Sequence, residues 1–166
     1  MRAVVPSAFR ELAVTQVGIL VPDLASAIRG YQAALNLDDW LIYTYSADTV
    51  PEMTYRGEAG RFGMRLAMAG SGPQIELIEP LAGPSVYHEW IERHGYGVQH
   101  LGFHVPDLSA VARRLAKEDW FPAQTGRGYG VDGDGAFAYY DTVEQMGLML
   151  ELIEVPATRR PSESIA

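Results

Sequence analysis

Short runs in which apolar residues alternate with polar or small ones occur twice along this chain. From Val14 to Val21, the residues Val17, Ile19 and Val21 fall on one side of an extended backbone and Gln16, Gly18 and Leu20 on the other. This period of two predicts a strand, which Pro22 ends. Asp23 suits a helix N-cap, and Leu24, Ile28, Tyr31 and Leu35 follow at helical spacing, with Asn36 near the stop. Strands are predicted over Trp40–Ser46, Phe62–Ala69 and Gln74–Glu79, with a loop over 47–60 that holds Pro51 and Gly57. Gly83-Pro84-Ser85 opens a short helix, Val86–His94, which Gly95 closes. The order then repeats: a strand over 98–105, a helix from Asp107 to about Lys117, and strands near Trp120, over Ala136–Asp141 and over Leu148–Ile153.

The repeat can be placed by offset. Val21-Pro22-Asp23-Leu24 recurs as Val105-Pro106-Asp107-Leu108, an offset of 84 that also lays His100 on Gln16. The closing runs Ile75-Glu76-Leu77-Ile78-Glu79 and Leu150-Glu151-Leu152-Ile153-Glu154 match at an offset of 75, so the first copy carries nine more residues inside it. Self-similarity with a variable internal loop indicates duplication. The expected architecture is α+β, with two tandem βαβββ modules forming one cupped, mixed sheet. The divisions are an N-terminal leader over 1–13, from which Phe9 and Leu12 pack onto the body, modules over 14–80 and 98–155, a linking helix within 81–97, and a disordered tail over 156–166.

Composition excludes more than it identifies. At 166 residues with 48% hydrophobic content the chain can bury a substantial core. A net charge of −8 argues against nucleic acid or an anionic membrane surface as partner, since either requires a basic patch. The absence of cysteine removes disulfides, thiolate nucleophiles and Cys-ligated zinc from consideration. Neither a signal sequence nor a membrane-spanning run is visible, so a cytoplasmic location is the expectation. The stretch Gly126–Gly135 contains five glycines but no Walker spacing, and reads as a mobile lid or hairpin connection.

Within the repeated strands one polar residue interrupts each apolar run: Gln16, Glu76, His100 and Glu151. If the apolar faces take the helices, these four point into the concavity of the cup. Two carboxylates in a low-dielectric cup repel one another, and a divalent cation relieves the repulsion. Three oxygen donors and one imidazole suit Zn, Mn, Co, Ni or Mg, with positions left for water or substrate. The competing reading, that strand glutamates are solvated, gives Glu79 and Glu154 on the opposite parity equal standing.

The runs Gln16–Leu24, Ile75–Leu81, Gly97–Phe103 and Leu148–Glu154 resemble the vicinal oxygen chelate superfamily, which includes glyoxalase I, methylmalonyl-CoA epimerase, extradiol dioxygenases and bleomycin-resistance proteins. The phrase from Glu76 to Phe103 is most like the epimerase branch. The resemblance implies one divalent ion held by Gln16, Glu76, His100 and Glu151. Many members carry His where this chain has Gln16, and the Gln/Glu/His/Glu set resembles one type of glyoxalase I.

The function implied is that of a metal-dependent isomerase, epimerase or lyase on a small carbonyl or thioester compound, through a metal-stabilised enolate, in a homodimer. Glu151 would be ligand and acid/base. Glu58, in the loop before the third strand, is the nearest match to a second base, and His104 on the face of His100 is placed to touch substrate or shuttle a proton, or is simply a rim residue. The alternatives are a non-catalytic binder of an antibiotic-like or aromatic ligand and an extradiol-type dioxygenase. A single aligned histidine disfavours the dioxygenase, which relies on two His and one carboxylate.

Overall fold

The computed structural model describes residues 4–164. A short 3-10 helix, Ser7–Glu11, precedes the first module, which contains β1 (Gln16–Leu20), α1 (Leu24–Leu35), β2 (Leu41–Tyr45), a hairpin of β3 (Glu52–Tyr55) and β4 (Glu58–Ala59), β5 (Met64–Ala69) and β6 (Gln74–Pro80). The linking helix is α2 (Val86–His94). The second module contains β7 (Gly97–His104), α3 (Leu108–Ala116), β8 (Gln124–Tyr129), β9 (Gly135–Tyr140), a turn of helix α4 (Val143–Met146) and β10 (Met149–Glu154), and β11 (Glu163–Ser164) follows it. All strands join one mixed sheet in the order β11-β2-β5-β6-β1-β7-β10-β9-β8-β3-β4. The two modules meet at its centre, where β1 and β7 run antiparallel.

Each module buries its own helix on the outer face. Leu24 and Ile28 of α1 pack with Val21, Trp40, Ile42 and Leu77. Leu108 and Leu115 of α3 pack with Phe103, Trp120, Tyr140 and Leu152, and Phe9 joins that cluster through edge-to-face contacts with Phe103 and Tyr140. The third cluster fills the inner side, where Val86, Tyr87 and Trp90 of α2 pack with side chains from both halves.

Duplication extends to the helix starts. Asp23 and Asp107 are the N-caps, accepting from Ser26 N and Ala110 N. Glu79 accepts from Leu24 N at 2.9 Å, and Glu154 accepts from Leu108 N at 2.9 Å. Both glutamates therefore satisfy unpaired amides at the positive ends of helices, an arrangement that contributes about 1 kcal/mol per helix. Opposite parity on the same strands thus separates a structural glutamate from a buried one.

Four expectations are corrected in whole or in part. Of the two readings of the glycine-rich stretch the hairpin stands and the mobile lid does not: it forms the end of β8 and the connection to β9, Gly126 lies beneath the Phe137 ring, where a Cβ would stand 2.3 Å from ring carbons, and Gly128 at φ +88 forms the bulge where the β8–β9 register shifts. Accordingly, the strand expected near Trp120 begins at Gln124, past a turn in which Asp119 has φ 59. Residues 52–59 form a hairpin rather than a loop, and β3 crosses to pair with β8 of the other module. The tail is also ordered through Ser164, because Ser162 N donates to Ile42 O and β11 pairs with β2. Among the described residues no helix is long and apolar enough to cross a membrane.

Candidate metal centre

Strand register assembles the site. One row across the sheet reads Glu76 (β6), Gly18 (β1), His100 (β7) and Met149 (β10), and the next row on the same face reads Gln74, Gln16, Gly102 and Glu151. Each half thus contributes a ligand and a glycine, and the antiparallel pairing sets the ligand of one half opposite the glycine of the other. The glycines are required by space. A Cβ at Gly18 would lie 1.8 Å from His100 Cε1, and one at Gly102 would lie 3.1 Å from Gln16 Oε1.

Secondary contacts orient the donor atoms. His100 Nδ1 is 2.8 Å from Gln99 Oε1, so it carries the proton and leaves Nε2 directed into the site. Gln99 reaches this position because the β1–β7 register shifts after Gly18: Gly18 pairs with His100 and Ile19 with Val98, so Gln99 is the extra residue of a bulge and its side chain turns inward, fully buried. Gln16 Nε2 donates to Gln74 Oε1 at 2.9 Å and lies 3.1 Å from Met68 Sδ, which leaves Gln16 Oε1 as the free atom of that amide.

The residues fit a metal ion. His100 Nε2 is 3.1 Å from Glu151 Oε2 and 3.2 Å from Glu76 Oε2, and one ligand atom from each of the three residues falls within 4.8 Å of the others. Two atoms each about 2.1 Å from one ion are about 3.0 Å apart at a right angle. Gln16 Oε1 is buried without a hydrogen-bond partner, and Glu76 Oε2, His100 Nε2 and Glu151 Oε2 are buried with only one another within reach. Buried polar atoms short of partners are costly, and four converging from four strands have a common explanation in a shared cation.

The electrostatics agree. Burial opposes protonation of His100, yet the carboxylates of Glu151 and Glu76 outweigh it and raise its pKa to about 9. Burial raises the pKa of Glu151, with Glu76 adding to the effect and His100 opposing it. Tyr139, held in its protonated form chiefly by burial and then by the charge of Glu151, accepts from Tyr87 at 3.0 Å and meets the His100 ring edge-on. Gln16, Glu76 and Glu151 line a cavity of ≈ 30 Å³, shared with Tyr45, Tyr129, Tyr139 and Arg159. That space holds little more than water.

The structure thus gathers Gln16, Glu76, His100 and Glu151 and leaves two other candidates outside. Glu58 is exposed on β4, the outermost strand of the sheet, and does not line the cavity. That placement corrects the expectation of a base there: the hairpin carries Glu58 to the sheet edge. His104 is exposed at the end of β7, and partial burial and then the charge of Arg159 lower its pKa. Arg65 pairs with Glu163 of the tail at 2.8 Å. Sequence reasoning missed Gln99, whose parity misplaces it, and Arg159, which lies in the tail.

Fold and site together define a cupped-sheet protein of two fused modules with a buried three-oxygen, one-nitrogen centre. The family profile for the Glyoxalase/Bleomycin resistance protein/Dioxygenase superfamily matches residues 15–140, and the chain belongs to that superfamily. Methylmalonyl-CoA epimerase from Mycobacterium tuberculosis is similar in structure, with a TM-score of 0.62, 27% identity, and coverage of 86% of this chain and 88% of that one. A Streptomyces coelicolor methylmalonyl-CoA epimerase solved with 2-nitronate-propionyl-CoA shares the fold at TM-score 0.64 and 20% identity, covering 89% of this chain and all of that chain (100%). The protein YqjC of Bacillus subtilis (strain 168), described as uncharacterized, is 30% identical over 102 residues, which span 58% of this chain and 68% of that protein.

Two outcomes follow from the geometry. Gly18→Ala should displace the His100 imidazole and weaken divalent-metal affinity by at least about tenfold while the protein stays folded; unchanged affinity in a cobalt titration would contradict the placement of His100. Because the imidazole must lose its proton before it can ligate, and its metal-free pKa lies at about 9, affinity should rise with pH, roughly tenfold per unit below that value. Calorimetric affinities that stay flat between slightly acid and slightly alkaline pH would contradict the assignment.

Proposed function

We propose that this protein is a divalent-metal-dependent isomerase, epimerase or lyase that moves a proton on the carbon next to a carbonyl in a small carbonyl or thioester compound. The observation that carries this reading is the convergence of four buried donor atoms from Gln16, Glu76, His100 and Glu151 with no cationic side chain but the imidazole itself among them. Zn, Mn, Co, Ni or Mg would suit that donor set. When bound, such an ion supplies Lewis acidity toward a substrate oxygen.

The protein's own groups supply the rest. Glu151 is the acid/base: its buried carboxylate lines the cavity, at the place where a substrate carbon beside the donor set would sit. Tyr139 and Tyr87 wall the cavity beside it. Glu76 and Gln16 stay in place as ligands, Gln16 because its amide nitrogen is held by Gln74. An epimerase needs a second proton carrier on the opposite side of the carbon. Of the two candidates outside the cavity, His104 shares a face of β7 with His100 and Glu58 lies at the sheet edge, so His104 is the nearer of the two to that part. Likeness to the methylmalonyl-CoA epimerases supports an acyl thioester as the substrate class.

Exchange of a substrate α-proton with deuterated solvent, followed by NMR on metal-loaded protein with simple acyl thioesters, tests the reading. Exchange should occur in the wild type and drop by about two to four orders of magnitude in Glu151→Gln. Exchange that survives this change would remove Glu151 from the acid/base role, and tight ligand binding without any exchange would favour a binding protein.

A further inference from the structure

The segment after Pro156 runs as a strap across the mouth of the cup. Ala157 N donates to Asp134 Oδ2 at 3.0 Å and Thr158 O accepts from Val131 N at 2.9 Å, which ties the strap to the β8–β9 hairpin of the second module. Farther along, Ser162 N donates to Ile42 O at 2.7 Å and β11 pairs with β2, which ties it to the first module. Arg159 lies between the two anchors. Its guanidinium is 5.6 Å from the Tyr43 ring centre and 6.0 Å from that of Tyr129, and its Nη1 is 3.6 Å from Met68 Sδ.

Arg159 is the cation of the inner cavity's wall, and among the described residues no carboxylate pairs with it. Its Nε is buried without a partner. Ring faces and a thioether compensate only part of a guanidinium's lost hydration. The carboxylates of Glu76 and Glu151 share the cavity but are turned to His100. Arg159 also borders an outer vestibule of ≈ 360 Å³, lined with it by Tyr43, Tyr45 and Arg160. The inner cavity and this vestibule share Tyr45 and Arg159, so a substrate that enters through the vestibule passes beside this guanidinium.

We propose that Arg159 recognises an oxyanion on the substrate, which narrows the substrate class to carbonyl compounds carrying a carboxylate close to the reacting carbon. The planar fork of donors matches a carboxylate. The substrate class rests on the isomerase reading above, whereas the binding site itself does not.

Calorimetric titration of zinc-loaded protein with malonate, phosphonoacetate and the neutral malonamide tests this. Wild-type protein should bind malonate at least tenfold more tightly than malonamide. Arg159→Gln should remove that preference while zinc affinity and malonamide binding are unchanged, and Arg159→Lys should keep part of it. Equal malonate affinity in wild type and Arg159→Gln would overturn the proposal. So would equal loss of both probes in Arg159→Gln, the pattern of a strap that merely holds the cup closed, and so would a wild type that binds neither. Tighter binding of phosphonoacetate than of malonate would replace carboxylate by phosphate as the group recognised. An Arg159-dependent preference in a protein that exchanges no α-proton would leave the oxyanion site standing and reject the isomerase reading.

Discussion

Two glutamates and an imidazole cannot share a dry cavity without a cation or a proton between them. Burying one unpaired carboxylate costs several kcal/mol, and a second beside it adds repulsion. In the metal-free protein a proton on His100 answers the demand, as its pKa of about 9 records. Everything around the site follows from holding these groups together despite that cost. Gly18 and Gly102 leave the space, the bulge at Gln99 turns an amide inward to fix His100, and Gln74 with Met68 holds the Gln16 amide. A proton and a divalent ion would compete for the same atoms.

The two halves are equivalent in backbone and unequal in chemistry. Gln16 and His100 occupy matching positions over matching glycines, yet one offers a neutral oxygen and the other a nitrogen. That difference leaves a single imidazole among four donors, a hard, oxygen-rich set suited to Lewis-acid proton transfer rather than to oxygen activation by ferrous iron. Membership of the superfamily allows either chemistry, and the donor set favours the first.

Local pattern made much of this legible. Alternation and two offsets picked out the four residues that converge, and Asp23 and Asp107 marked the helix starts, because these features depend on neighbours within a strand or a turn. What stayed hidden depended on distant partners. Gln99 has the wrong parity for the cup and enters it only because the register with β1 slips. Gly126 and Gly128 resemble loop residues until Phe137 and the β8–β9 bulge account for them. The 52–59 hairpin and the strap bearing Arg159 find their pairing in strands far along the chain, so composition alone marked one as loop and the other as disordered. Glu58 followed the hairpin to the sheet edge.

Elemental analysis of protein purified without added metal, combined with a titration of the stripped protein, tests the central claim most directly. The account predicts one divalent ion per chain, bound through Gln16, Glu76, His100 and Glu151, with a proton released on binding and with stripped protein unable to exchange a substrate α-proton. A protein that carries no ion, takes none up, and still binds a small ligand tightly would contradict it.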